Sequence, residues 1–228
     1  MLSQLLSGNF SFNAIVAQIL AVLLIIFFVL PFHEWAHAFT ASLLGDKGIK
    51  QRGRLSFNPI NHIDPIGALS MLLFGFGWAK PVPIDPRYFK KPKLGMAITA
   101  IMGPVANLVA GLIGMLIYKC LYFFANGFMI SDIGGFVQVF LLYYISCNVG
   151  LAVFNLIPIP PLDGSKVLFL FLPDKAVAFC YRYQQIFFFG LFALLFVGAF
   201  DVVLGWATGG LYSLIDWLSS LPFRLFIH

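Results

Sequence analysis

The chain has 228 residues, of which 61% are hydrophobic and only 10% are charged. Soluble domains carry about 25% charged residues, so this composition leaves too little polar surface to coat a water-soluble particle. The formal net charge is +5, but the basic residues lie between apolar runs, which is typical of membrane orientation and not of nucleic-acid binding. Composition therefore predicts an all-α integral membrane protein with the lipid bilayer as a partner and no nucleic-acid partner.

Apolar runs of about 20 residues, the length of a helix that crosses a bilayer, recur along the chain. The first predicted span begins near residue 13, and its helix continues to about residue 44, where Gly45 is a plausible stop. Three further spans are predicted at about residues 94–118, 135–156 and 187–204.

Two other apolar segments are less regular. Residues 66–79 are too short and too rich in glycine for a span, so we interpret them as a re-entrant or membrane-edge segment. Residues 211–226 carry Asp216 and Arg224 and are predicted as a short span or an interfacial helix. Together the elements predict a polytopic helical bundle of about four to six spans, forming a single membrane-embedded domain over residues 1–228.

Basic residues favour one orientation of this bundle. Nine of them lie between the first and second spans and three between the third and fourth, and both loops share a side if residues 66–79 do not cross. The positive-inside rule then places these loops in the cytoplasm and the N-terminus outside.

One motif carries chemistry. His33 and His37 are four residues apart, a spacing that puts both imidazoles on one face of a helix, where they can bind one zinc ion. Glu34, the only glutamate of the chain, lies between them and can take a proton from a zinc-bound water. An ionisable residue in or beside a membrane helix is costly, which favours a functional role over a chance match.

A catalytic zinc usually has three protein ligands and one open position. Candidates for the third ligand are His62, His228 and the eight aspartates. Asp163 is the strongest candidate, because the predicted topology returns it to the side where the first helix ends. On local grounds alone, Asp163 is an equally good N-cap for the helix that follows it.

The two motifs together, HEWAH at residues 33–37 and NLIPIPPLDG at residues 155–164, resemble the site-2 protease family of intramembrane metalloproteases. Segments at residues 55–67, 77–83 and 103–107 resemble its small bacterial branch. The resemblance covers about residues 15–175 and leaves no room for the PDZ or CBS domains of larger relatives.

This resemblance implies one zinc ion per chain, held by His33, His37 and Asp163, with Glu34 as the catalytic base. It implies a three-helix catalytic core within about residues 13–165, followed by C-terminal helices over residues 166–228. The expected substrates are transmembrane or signal-peptide-like proteins. The expected location is the bacterial cytoplasmic membrane, with the active site toward the cytoplasm; the oligomeric state is left open.

Residues with lower-ranking roles surround these motifs. Asn155 matches a family asparagine implicated in substrate handling, and Pro158 and Pro160 prevent regular helix pairing there, which leaves an edge for an unwound substrate. Asn107 and Asn148 are candidates for transition-state support, although helix-to-helix hydrogen bonding is the commoner role of such residues. His62 is a candidate near the metal, or else a structural loop histidine.

Two other classes of protein share some of these sequence features. A metalloprotease with glutamate as third ligand lacks a candidate, since no second glutamate exists. A non-enzymatic scaffold or a transporter descended from a protease is the alternative to an enzyme, and the complete set of His, Glu, His and Asp argues against it.

Overall fold

A computed structural model describes residues 11–74 and 77–226 of the chain. His228, one candidate third ligand, and residues 75–76 of the predicted membrane-edge segment lie outside the described residues. Helices dominate the described part, as composition predicts, and their only β-pairing there is an isolated bridge between Ile63 and Ala79.

Helix α1 (Phe12–Leu44) carries the His-Glu-His motif near its C-terminal end. Its start is capped by the Ser11 side chain, which accepts a hydrogen bond from the Ala14 amide. A π-helical turn, Ile25–Val29, interrupts it just before Pro31, whose ring and missing N–H are incompatible with a regular α-helical turn. The helix ends at Gly45, whose φ of 125° is a conformation that favours glycine.

The segment between α1 and the next long helix folds back on itself. It contains the short helices α2 (Gly48–Gln51) and α3 (Pro65–Phe74). After α3 the chain comes back to pair Ala79 with Ile63, so this segment does not cross from one side to the other. That return agrees with the interpretation of residues 66–79 as a re-entrant or membrane-edge segment.

Two long helices complete the centre of the bundle and pack against α1. They are α4 (Pro92–Phe124) and α6 (Asp132–Asn155), joined by the short α5 (Asn126–Met129). Glycines allow close packing of α4 and α6: Gly111 faces Asn148, and Gly114 faces the Tyr144 ring.

The C-terminal part is built from shorter pieces. It contains α7 (Gly164–Leu168), α8 (Asp174–Arg182), α9 (Gln184–Phe196) and α10 (Asp201–Ser220), followed by a 3-10 turn. The boundaries predicted for the fourth span, residues 187–204, are wrong, because the chain turns between α9 and α10 at Gly198, whose φ is 75°.

By length and composition, three helices of the described chain can cross a bilayer: α1, α4 and α6. The pair α8 and α9, bent by 70°, makes a fourth if it counts as one span. The polytopic helical prediction is therefore confirmed, with three to four candidate spans against the predicted four to six. The tail prediction for residues 211–226 falls on the end of α10 and the turn Leu221–Phe226.

Candidate metal centre and active site

Helix α1 brings His33 and His37 together on its buried face. The two imidazoles are almost fully buried, and their Nε2 atoms lie 3.0 Å apart. The four-residue spacing of an α-helix produces this arrangement without help from the rest of the fold.

Asp163 reaches the same point from a distant part of the sequence. Its Oδ2 atom lies 3.3 Å from His33 Nε2 and 3.2 Å from His37 Nε2. Although Asp163 occupies the N-cap position of α7, its side chain makes no capping hydrogen bond. The carboxylate is therefore directed to the imidazoles and not to the helix end.

These three residues fit a zinc ion. Two nitrogens and one oxygen bound tetrahedrally at about 2.0–2.1 Å lie about 3.3 Å from one another, close to the 3.0–3.3 Å separations of His33, His37 and Asp163. Within the described residues, they are the group of His, Cys, Asp and Glu side chains that could hold a metal.

The hydrogen bond at the other ring nitrogen of His37 is also typical of a metal ligand. Its Nδ1 lies 2.8 Å from the Thr99 carbonyl of α4, and because a carbonyl only accepts, Nδ1 carries the hydrogen. In the neutral imidazole, Nε2 then carries the lone pair and faces the other two candidate ligand atoms, the arrangement usual for metal-bound histidines. His33 Nδ1 and both amide atoms of Asn107 are buried without a partner in the described chain.

Asp163 is held on its other side by Lys166. The ammonium donates to the carbonyls of Pro161 at 2.5 Å and Leu162 at 3.2 Å, and it lies 3.9 Å from Asp163 Oδ1. Burial opposes ionisation of Asp163, yet the neighbouring imidazoles of His37 and His33 hold the pKa of its carboxyl well below its usual range. The lowered pKa favours the carboxylate form, which is the form that binds a metal.

Gly103 determines how closely α4 approaches the metal centre. A Cβ atom there would overlap the rings of His37 and His33. Only glycine allows the α4 backbone to pass this close to both imidazoles.

Glu34, the predicted base, is buried beside the ligands. Its Oε2 atom accepts a hydrogen bond of 3.0 Å from the backbone N–H of Val82. Sequence reasoning did not identify Val82, Thr99 or Lys166. The one available signal was Val82 itself, which supplies the only backbone N–H of Pro81-Val82-Pro83.

The structure does not bring the lower-ranking residues into the ligand group. The Asn155 and Asn148 amides donate back to their own helix, to Leu151 and Tyr144. His62 is fully buried, and its Nε2 lies 2.8 Å from the Ser56 carbonyl.

This contact links two positions of the loop before α3. It agrees with the alternative that His62 is a structural loop histidine. Pro158 is exposed and Pro160 is buried, and both lie in the irregular turn that leads to Asp163.

The fold and the metal centre together define a class, and sequence comparison agrees with it. The sequence profile described as Peptidase family M50 matches residues 20–198. The chain belongs to this family, the site-2 protease family of zinc metalloproteases.

Individual relatives carry the same description in their names. "Putative zinc metalloprotease YwhC" of Bacillus subtilis is 40% identical over 149 residues, which cover 65% of this chain and 67% of YwhC. "Putative zinc metalloprotease Rip2" of Mycolicibacterium smegmatis is 32% identical over 60% of this chain and 51% of that protein. Rip2 of Mycobacterium tuberculosis strain H37Rv is 28% identical over 85% of this chain and 71% of that protein.

No solved structure matches the chain significantly. The family assignment and the candidate spans identify an integral membrane zinc metalloprotease. This result favours the enzyme over the scaffold or transporter that the sequence left as the alternative.

Proposed function

We propose that the protein hydrolyses peptide bonds of membrane-spanning or membrane-edge substrate segments. The observation that carries this proposal is the position of His33, Glu34 and His37 near the far end of a span, opposite Asp163. At 1.5 Å per residue, His33 lies about 30 Å along α1 from its start, close to the thickness of the hydrocarbon core. A site at that depth meets substrates at the edge of the bilayer.

In this proposal His33, His37 and Asp163 hold the zinc, and Glu34 is the general base. When bound, zinc supplies Lewis acidity that makes a water molecule available as hydroxide near neutral pH. Glu34 accepts the proton as the water oxygen adds to the substrate carbonyl carbon. It then delivers that proton to the amide nitrogen as the C–N bond breaks, so the products are a carboxylic acid and an amine.

A transmembrane helix hides its peptide bonds in its own hydrogen bonds, so the substrate must unwind locally before cleavage. The irregular turn after α6, with Asn155, Pro158 and Pro160, is proposed to offer backbone and amide groups to the unwound segment. Asn107 and Asn148 stay candidates for support of the transition state from the bundle interior. Transmembrane and signal-peptide-like proteins are the proposed substrates.

The proposed orientation follows the basic loops: the active site lies toward the cytoplasm, and the N-terminus lies outside, in a bacterial cytoplasmic membrane. The whole of residues 1–228 is proposed to act as one membrane-embedded domain.

The test is Glu34→Gln, a nearly isosteric change that removes the base and leaves all three proposed ligands. Detergent-purified parent and variant are compared for zinc content and for cleavage of a panel of tagged single-pass membrane segments. We expect about one zinc per chain in both proteins and a loss of cleavage rate of about 10²- to 10⁴-fold in the variant.

Two results would count against the proposal. Cleavage at the parent rate by Glu34→Gln removes Glu34 from the mechanism. Cleavage by the parent of soluble unfolded chains only, with every membrane segment left intact, removes the membrane substrate class.

A further inference from the structure

An extended segment, residues 79–85, lies across α1 at the level of Glu34; we call it the strap. Its first end is fixed by the bridge between Ala79 and Ile63 and by the Lys80 N–H, which donates to the His62 carbonyl at 2.7 Å. The strap therefore starts from a point that is tied to the loop before α3.

The other end of the strap is tied to the C-terminal end of α1. The Asp85 N–H donates to Oδ2 of the fully buried Asp46 at 2.9 Å, and Arg52 donates to the Pro83 carbonyl at 3.0 Å. Both ends of the strap are thus attached to elements other than the metal ligands.

The middle of the strap presents a single donor. Prolines at 81 and 83 have no N–H and restrict the backbone, so Val82 supplies the only amide of these three residues. This amide donates to Glu34 Oε2 at 3.0 Å, across 48 positions of sequence. The Val82 side chain is buried in an apolar cluster with Ala38, Ala41, Ile49 and Phe89, which fixes the direction of the amide.

We propose that the strap positions the catalytic base, with Val82 as the positioning residue. The Val82 amide holds Oε2, so the other carboxylate oxygen, which accepts no hydrogen bond from the described residues, is the one that handles the proton. This inference rests on the proposed role of Glu34. A hydrogen bond from an amide to a carboxylate is stronger than one between neutral groups, which suits it to hold a single rotamer of Glu34.

The geometry favours positioning over blocking of the site. The strap contacts Glu34 through one oxygen, and its anchors at Asp46 and His62 would all have to break before it could move aside.

A direct test uses the fact that Glu34 is the only glutamate in the chain. Cell-free synthesis with glutamate labelled with ¹³C at the side-chain carboxyl gives one NMR signal, which reports on Glu34 alone. Val82→Pro removes the donor, and we expect it to shift this signal while zinc content stays at the parent level.

Two matched variants control for the change of residue. Ile84→Pro removes a neighbouring strap amide that donates no hydrogen bond in the described chain, and we expect the Glu34 signal to stay in place. Val82→Ala keeps the N–H but loses most of the side chain, and it is expected to restore the signal position that Val82→Pro loses.

Kinetics then separate positioning from simple structural damage. On a membrane segment that the parent cleaves, Val82→Pro should lower kcat by about 10- to 100-fold with KM unchanged, because a misplaced base slows the chemical step. Val82→Ala should retain at least about ten times more of kcat than Val82→Pro.

Several outcomes overturn the inference: an unshifted Glu34 signal in Val82→Pro, an unchanged or raised kcat, or loss of zinc from Val82→Pro but not from Ile84→Pro. If the signal shifts as expected but the parent cleaves no membrane segment, the contact stands, and it is the proposed function that fails.

Discussion

The carboxylates of Asp46 and Asp163 show how surroundings decide the role of one residue type. Asp46 is fully buried and receives hydrogen bonds from three protein donors: the amides of Gly48 and Asp85 and the guanidinium of Arg52. Its negative charge is satisfied within the protein, so Asp46 is an anchor between α1 and the strap.

Asp163 has partners of another kind. Its Oδ2 faces the Nε2 atoms of His33 and His37, and the Lys166 ammonium is 3.9 Å from Oδ1. When both imidazoles are neutral and carry their hydrogen on Nδ1, three atoms with lone pairs lie within 3.3 Å of one another, an arrangement that a cation between them relieves. The difference between the two aspartates is therefore the kind of partner: two backbone amides and a guanidinium hold Asp46, whereas two imidazole nitrogens face Asp163, the proposed metal ligand.

The largest expected effect comes from Asp163→Ala, which removes one of three proposed ligands. Zinc affinity should fall by more than about 100-fold, and proteolysis should become undetectable. Elemental analysis of purified protein measures the zinc content, with Asp46→Ala as the control that keeps its zinc. Full zinc occupancy in Asp163→Ala would remove Asp163 from the ligand set.

The second largest effect is expected at Gly103, where the backbone of α4 lies close to the two imidazoles. Gly103→Ala places a methyl group against the His33 and His37 rings, so zinc affinity should fall by about 10- to 100-fold through displaced ligands. Gly111→Ala on the same helix meets its nearest neighbours at 3.4 Å and should bind zinc within a few-fold of the parent. Competition with a chelator measures both, and equal affinities for the two variants would contradict the packing argument.

The anchor should matter for stability and not for the metal. Asp46→Ala leaves the Asp85 and Gly48 amides and the Arg52 guanidinium without their acceptor. Because Arg52 is 40% exposed and recovers some hydration, we expect a loss of about 2–3 kcal/mol in the free energy of unfolding. Thermal unfolding in detergent, read beside zinc content, checks this; loss of zinc without loss of stability would reverse the assignment of the two aspartates.

The smallest effect is expected at the exposed pair of Arg87 and Asp85. Hydrogen bonds from Arg87 lower the pKa of Asp85 from its usual 3.8 to about 2. Because the folded-state pKa is lowered, the associated stabilisation is present above pH 3.8 and is lost only as the pH falls through about 2.

Arg87→Gln should therefore raise the pKa of Asp85 toward its usual value and leave thermal stability at pH 7 unchanged, since exposed ion pairs contribute little. NMR titration of Asp85 gives the first quantity and thermal unfolding the second. A large loss of stability at pH 7 would show that the strap depends on this pair.

Much of the candidate site could be predicted from local sequence. The spacing of His33 and His37 puts two imidazoles on one face wherever the segment is helical, and a long apolar run makes it helical. Asp163 required topology as well, because local signals supported an N-cap equally. Its side chain makes no cap hydrogen bond and faces the imidazoles instead.

The sequence by itself determined the membrane class, the long helices and the placement of His33 and His37 on one helix face, because apolar length and helical period are local properties. Only the tertiary structure decided the break at Gly198, the packing of Gly103 on the imidazoles and the contact between Val82 and Glu34. The last two of these features pair residues that are far apart along the chain, and a local sequence pattern does not specify which distant backbone a side chain will contact. The physical reason is that packing, and not propensity, selects such partners once the helices have formed.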